Sequence, residues 1–247
     1  MTITLETPVR DIAISMPTAI PVLERLGVDY CCGGQHTLAE ACSNHNIAPA
    51  RVLDELQQLQ QEQAGNTAES HWVHAPLKEI TEYIVKKHHA YTRNQLNLID
   101  ELMAKVEQRH GVEHIELFQL SKLIAVFASE LRHHAECEET NLFPYIAALG
   151  TDEKKELPAP AKGSLKPPIT RMMTDHDQTG EELKTLRKLT DHYTPPTEAC
   201  PTWRALYRAI QDLDVDLHQH IHLENNILFP RAMKAAQAQY ANTPVAA

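Results

Sequence analysis

Four long helical patterns, few glycines and aromatics, and no strand-like alternation of useful length predict an all-α protein. The expected architecture is a small N-terminal helical domain with a Cys-Cys motif, followed by an antiparallel four-helix bundle. Eight Gly and four Phe stand against plentiful Leu, Ala, Glu, Gln and His, a composition that favours helices over a β-sandwich. The 247 residues suffice for one large domain or two modest ones, each with a real core.

The elements follow in order. Thr7-Pro8 and Pro21 are helix-start signals, and Gly27 is placed to close the second helix in a left-handed cap. Asp29-Tyr30-Cys31-Cys32-Gly33-Gly34 is too rich in Gly for a helix interior. Helical patterns return from Thr37 and from Pro49 to about Gln63. This gives a domain over 1–63, a polar linker over 64–75 and a bundle over 76–240. Within the bundle the helical patterns run 76–108, 114–148, 167–192 and 201–238. Their breaks are Arg109-His110-Gly111, the Pro/Lys/Gly stretch 151–168, and Tyr193-Thr194-Pro195-Pro196. Short links between such helices suit antiparallel packing.

Charge and composition exclude several functions. The net charge is −10 and no basic block occurs, so a nucleic-acid partner is not expected. No apolar run approaches the ~18–20 residues of a membrane helix. The opening MTITLETPVRDIAISM lacks a basic segment followed by an apolar one, so no secretory signal is read. Five Cys, an odd number, fit a reducing compartment better than a disulfide framework. The expectation is a cytoplasmic protein.

Fifteen His is the unusual count, since His is the commonest metal ligand. Two segments share the pattern H-x3-E-x3-L-F-P: His134 to Pro144 and His220 to Pro230. Composition alone gives about one H-x3-E by chance, and there are three, the third running from His36 to Glu40. The shared Leu-Phe-Pro continuation is what sets two of them apart. His89 precedes His134 by 45 residues and His176 precedes His220 by 44. Each half of the bundle is therefore a helix with one His followed by a helix with H-x3-E.

Helical faces support the pairing. Ile210, Leu213, Leu217 and Ile227 share a stripe with His220, and Ile124, Phe127 and Leu131 do so with His134. His89 falls with Val85, Leu96, Ile99 and Met103, and His176 with Ile169, Met172, Met173 and Leu183. A His and a Glu four apart lie one turn apart on one face, so the imidazole can bind one metal while the carboxylate bridges two. The donor set is His89, His134, Glu138, His176, His220 and Glu224. His218 and His222 fall beside Asp214, Gln211 and Asn225 on a face read as solvated. His133 is read as exposed, His110 and His114 as loop residues, and His88 as excluded despite a partly apolar face. Pro144 and Pro230 should kink their helices just past the ligands. Glu130, one turn before His134, and Asp175, beside His176, are candidates to orient a ligand or line a metal path. Cys137 points away from the donor face and is read as packing; Cys42 and Cys200 are unassigned. Four imidazoles and two carboxylates suit iron, manganese or zinc, and the absence of H-E-x-x-H leaves zinc-protease chemistry without support.

These H-x3-E pairs resemble those of hemerythrin-like proteins. With Asp29-Tyr-Cys-Cys-Gly-Gly34, nearly the whole chain resembles the Repair of Iron Centers family (RIC, also called ScdA or YtfE). One departure is His88, where the family has an aromatic, which leaves a one-residue ambiguity around His89. The resemblance implies a non-haem di-iron centre, two iron ions bridged by carboxylates and held by the six residues above. It implies repair of iron–sulfur clusters damaged by nitrosative or oxidative stress, by supplying iron, with damaged iron–sulfur proteins as partners and a homodimer as the assembly. Cys31 and Cys32 would be a thiol relay or iron-transfer site, since a disulfide between neighbours is strained and easily reduced. Two other readings stand beside repair: a di-iron nitric oxide reductase with Cys31 and Cys32 relaying electrons, and a scavenger that binds nitric oxide or dioxygen without turnover.

Overall fold

The structure, a computed structural model, describes residues 2–44, 47–62, 71–149 and 164–241. It is all-α: among the described residues there is no strand, only an isolated antiparallel bridge between Pro8 and Thr37. The chain divides into two compact units, Thr81–Leu217, and Met1–Ile80 with His218–Ala247.

In the N-terminal part of the latter unit, α1 (Val9–Ser15), α2 (Ile20–Leu26), α3 (Leu38–Asn44) and α4 (Pro49–Glu62) surround a core of Ile3, Val9, Ile12, Leu23, Leu38 and Leu56. Pro8 is the N-cap of α1, one position before the expected N1 site. Gly27 ends α2 at φ +70° and its N–H reaches back to the Glu24 carbonyl, the left-handed cap read from the sequence. Thr37 and Glu40 form a capping box at α3. The Thr37 N–H donates to the Glu40 carboxylate at 2.9 Å, and the Glu40 N–H donates to the Thr37 hydroxyl at 3.2 Å. The third H-x3-E is thus accounted for, because its Glu is a helix cap and its His36 is an exposed neighbour 3.9 Å away.

The Gly33-Gly34 pair serves close packing. A Cβ on Gly34 would lie 2.6 Å from the Tyr30 carbonyl oxygen and 2.9 Å from the Arg10 side chain. There the chain crosses α1, with the Arg10 N–H donating to the Gly34 carbonyl at 2.8 Å. Of the segment read as a linker, 64–70 lies outside the described residues. Its remainder carries a 3-10 turn, His71–Val73, and Arg231 donates to the Trp72 and Ala75 carbonyls.

In Thr81–Leu217, α6 (Ala90–His110), α7 (Glu116–Cys137), α9 (Lys166–Leu189) and α10 (Pro201–His222, entering the other unit after Leu217) contribute to one core. It includes Leu96, Ile99, Ile124, Phe127, Leu183, Leu186, Trp203, Leu206 and Leu213, the stripes expected from periodicity. Most of the expected 151–168 break lies outside the described residues. The break after α9 is sharper than a proline turn: Asp191, His192 and Tyr193 all adopt positive φ, at 45°, 55° and 62°. Such a run is strained, and it is anchored by Asp214. That carboxylate takes two bonds from Arg187, at 2.6 and 2.5 Å, and one from the Tyr193 hydroxyl at 2.6 Å. Asp214 is therefore buried, correcting the solvated face expected for it.

Each helix carrying an H-x3-E pair is interrupted by a π turn. Glu138–Leu142 (π2) leads into α8 (Phe143–Ala147), and Leu223–Leu228 (π3) leads into α11 (Phe229–Ala241). Pro144 and Pro230 lack the N–H that would continue an α-helical ladder, and their rings clash with the carbonyl four residues back. Widening the preceding turn is how the chain runs on through the expected kinks. A third π turn, Ile84–His89 (π1), connects α5 (Leu77–Tyr83) to α6 without a proline.

Two measurements follow. Gly34→Ala should lower unfolding free energy by about 1–3 kcal/mol, the usual range for an intruding methyl group, read as a denaturant-midpoint shift. Hydrogen bonds from Thr37 hold the exposed Glu40 carboxyl below its usual range. The stabilisation from its ionised form is then complete above the ordinary carboxylate pKa of ~4.3 and is lost as pH falls through the lower folded value. The melting-temperature gap between wild type and Glu40→Ala should accordingly be steady near neutral pH and narrow in acid.

Candidate metal centre

In the unit Thr81–Leu217, four of the six expected donors converge. His89 closes π1, His134 lies in the last turn of α7, Glu138 opens π2 and His176 sits midway along α9. Glu138 has no exposed surface, and its two oxygens face different imidazoles. Oε1 is 3.4 Å from His134 Nε2, and Oε2 is 3.4 Å from His89 Nε2. His134 Nε2 is also 3.0 Å from His176 Nε2. Bonds of ~2.1 Å from N and O donors to one ion set neighbouring ligands ~3.0 Å apart at right angles and ~3.4 Å apart at tetrahedral angles. The observed separations fit that pattern, so these side chains suit a cation.

In the other unit, His220 Nε2 lies 2.9 Å from Glu224 Oε1, the same pairing one helical turn apart. Both residues are buried, Glu224 completely. The three π turns among the described residues thus begin with, contain or end on one of the six residues, in keeping with the frequency of such turns at functional sites.

The surroundings contain a partner the sequence reading missed. Glu139, immediately after Glu138, accepts a 2.7 Å bond from His89 Nδ1 and another from Arg93. Burial opposes its ionisation, but the bonds from Arg93 and His89 outweigh this and hold the carboxyl below its usual range. With Nδ1 donating to Glu139, His89 presents the Nε2 lone pair toward Glu138. The one signal available was a second acid beside the motif Glu. Asp175 Oδ2 lies 3.4 Å from His134 Nδ1. Glu130 is exposed and accepts from Gln178 at 3.0 Å. Glu130, His133, His134, Cys137 and Asp175 all line one cleft of about 160 Å³.

The other histidines resolve individually. His88 is buried with Nδ1 3.1 Å from Asp216, outside the converging group that contains His89. His133 is exposed, as expected. His110 and His114 flank Trp203, with ring centroids 5.2 and 4.8 Å from it. His222 overturns the expectation of solvent. It is buried, and burial pushes its pKa down to about 4.

What buries His222 is the Cys-bearing segment. The Tyr30 ring meets it edge-on at 5.2 Å, and Asn226 donates to the Tyr30 carbonyl at 3.1 Å. Cys31 is buried and Cys32 half-buried; among the described residues no disulfide is formed. The Cys31 Sγ lies 3.8 Å from Cys32 Sγ and 3.3 Å from Asp29 Oδ1. The Cys32 contact and burial push the Cys31 thiol well above its usual range. Cys42 is buried in the N-terminal core. Cys200, just before α10, is held below its usual range by backbone N–H bonds, the Trp203 N–H foremost.

Buried imidazoles and carboxylates on a helical bundle define a cation-binding protein, and residues 80–232 match the profile of the hemerythrin HHE cation binding domain. Residues 5–60 match a second family, a domain of unknown function designated ScdA_N. The chain is 37% identical over 228 residues to the iron-sulfur cluster repair protein YtfE of Escherichia coli O157:H7, covering 92% of this chain and 97% of that one. Proteins of the same name in Citrobacter koseri and Escherichia fergusonii are each 36% identical, with the same coverage. The chain belongs to the family of these YtfE proteins. No helix among the described residues is long and apolar enough to cross a membrane.

Removing the carboxylate that orients a metal-binding imidazole typically weakens affinity ~10–100-fold. Glu139→Ala should do so here, measured by chelator competition for iron, while Glu136→Ala, on the exposed face of the same helix, leaves affinity unchanged.

Proposed function

We propose that His89, His134, Glu138, His176, His220 and Glu224 hold two non-haem iron ions, and that the protein repairs iron–sulfur clusters damaged by nitrosative and oxidative stress by supplying iron. The observation that carries this reading is Glu138, a wholly buried carboxylate whose oxygens face two different histidines. A carboxylate so placed is suited to bridging, with His89 on one side and His134 and His176 on the other. The matching His220–Glu224 pair on the repeated motif supplies the remaining donors and the second bridge. The names of the relatives support cluster repair, and the matches at 5–60 and 80–232 support a domain over 1–63, a linker over 64–75 and a bundle over 76–240.

Bound iron is both the centre and the cargo, passed on to a damaged iron–sulfur protein in a cytoplasmic setting, with nitric oxide or dioxygen as small ligands. The residues divide that work. Glu139 accepts the Nδ1–H of His89 and fixes its ring, and Asp175 faces Nδ1 of His134. The cleft lined by Glu130 and Asp175 reaches His134 and offers acidic side chains to a departing cation. Cys31 and Cys32 are the candidate thiols for receiving or relaying it.

The test is iron content and spectroscopy of anaerobically purified wild type beside Glu138→Ala, His220→Ala and Glu130→Ala. Two coupled irons per chain, lost in the first two variants and kept in the third, are expected. Zinc, or one mononuclear iron indifferent to His220, would overturn the centre. Chelator-sensitive transfer of iron to a damaged cluster then supports repair, whereas catalytic nitrous oxide formation would replace repair with nitric oxide reduction.

A further inference from the structure

The Cys31–Cys32 turn is held from two sides. From within the turn, the Asp29 carboxylate accepts the backbone N–H groups of Cys31 and Cys32, both at 3.0 Å, and the Cys31 thiol at 3.3 Å. From the C-terminal helix, the Asn226 amide donates to the Tyr30 carbonyl at 3.1 Å and approaches the Cys31 carbonyl at 3.4 Å. Its nitrogen is also 3.0 Å from His222 Nδ1, which itself lies 3.3 Å from the Tyr30 carbonyl, so that according to tautomer it accepts from Asn226 or donates to Tyr30. His222 in turn packs against the Tyr30 ring, and the Tyr30 hydroxyl donates to Glu24 at 2.7 Å. Asn226 lies within π3, two residues after Glu224. The segment is therefore bound, through its own carbonyls, to the turn that carries a proposed iron ligand. The two thiols differ within it: Cys31 is 3% exposed and engaged with Asp29, whereas Cys32 keeps open surface.

We propose that His222 and Asn226 are positioning residues that clamp the Cys31–Cys32 turn onto π3, in the pose that makes Cys32 the reacting thiol and keeps Cys31 held by Asp29. The inference rests on the reading of this pair as functional thiols. It specifies which thiol an incoming electrophile or soft cation meets first. The chemistry is that of an exposed sulfur beside a buried one, where access governs the difference in rate.

Alkylation of the folded full-length chain by N-ethylmaleimide, with each cysteine followed by mass spectrometry, tests the clamp without reference to repair. In wild type Cys32 should react at least ~10-fold faster than Cys31, as its exposure dictates. His222→Ala and Asn226→Ala should raise the Cys31 rate and erase the difference. His222→Gln, which retains an acceptor, should restore it. Should an alanine variant fail to fold, Asn226→Asp removes the amide donor at constant size and should act the same way. Iron content and helicity should match wild type in each folded variant. Equal Cys31 and Cys32 rates in wild type, or an unchanged ratio in folded clamp variants, would overturn the proposal. Wild-type repair by a Cys31→Ser/Cys32→Ser protein would instead reject the functional reading while leaving the clamp intact.

Discussion

A carboxylate without solvent is the condition around which the bundle interior is organised. Glu138 has no exposed surface, and removing a charge from water costs several kcal/mol unless partners replace the lost hydration. With its Nδ1–H engaged by Glu139, His89 turns a lone pair toward this carboxylate, so a cation held between them would meet the demand. The neighbouring side chains follow from it. Glu139 must turn the His89 ring, Arg93 must neutralise Glu139, and the helices must bring three histidines to one carboxylate. Glu224, equally buried in its own unit, poses the same demand to His220.

A second constraint acts through the backbone. Regular helices would carry the chain past the donors without adjustment, but π turns open the ladder where the donors stand. Two of the three are coupled to a proline that cannot donate to the turn before it. The same Leu-Phe-Pro that marks the repeat in sequence is thus a backbone device, placed where it alters the helix just after each motif carboxylate.

Much of this was legible in the sequence, for identifiable reasons. Helix positions and core stripes follow from periodicity, and residues such as Leu96, Ile124, Leu183 and Leu213 are buried as that periodicity requires. His89, His134, Glu138 and His176 could be named together because the repeat pairs them, and His220 with Glu224 likewise. What periodicity could not reveal is what covers a polar face. His222 and Asp214 were read as solvated from polar neighbours on their own helix. Tyr30 covers the first, and Arg187 with Tyr193 pairs with the second, all from distant parts of the chain. The role of Glu139 is not legible in sequence, because adjacency to Glu138 says nothing about reaching back across to His89. The Gly33-Gly34 pair reads in sequence only as a break in helix, but the close approach at Gly34 shows a packing requirement.

The π turns bear on how the chain can change length. Each is in effect an α-helix with one residue too many, and a residue of α-helix corresponds to ~100° of rotation. Deleting a residue within Leu223–Leu228 would leave Pro230 still unable to complete a regular ladder and would swing all of α11 by about a quarter-turn relative to His220. Length variation in relatives should therefore fall between these helices, not within them.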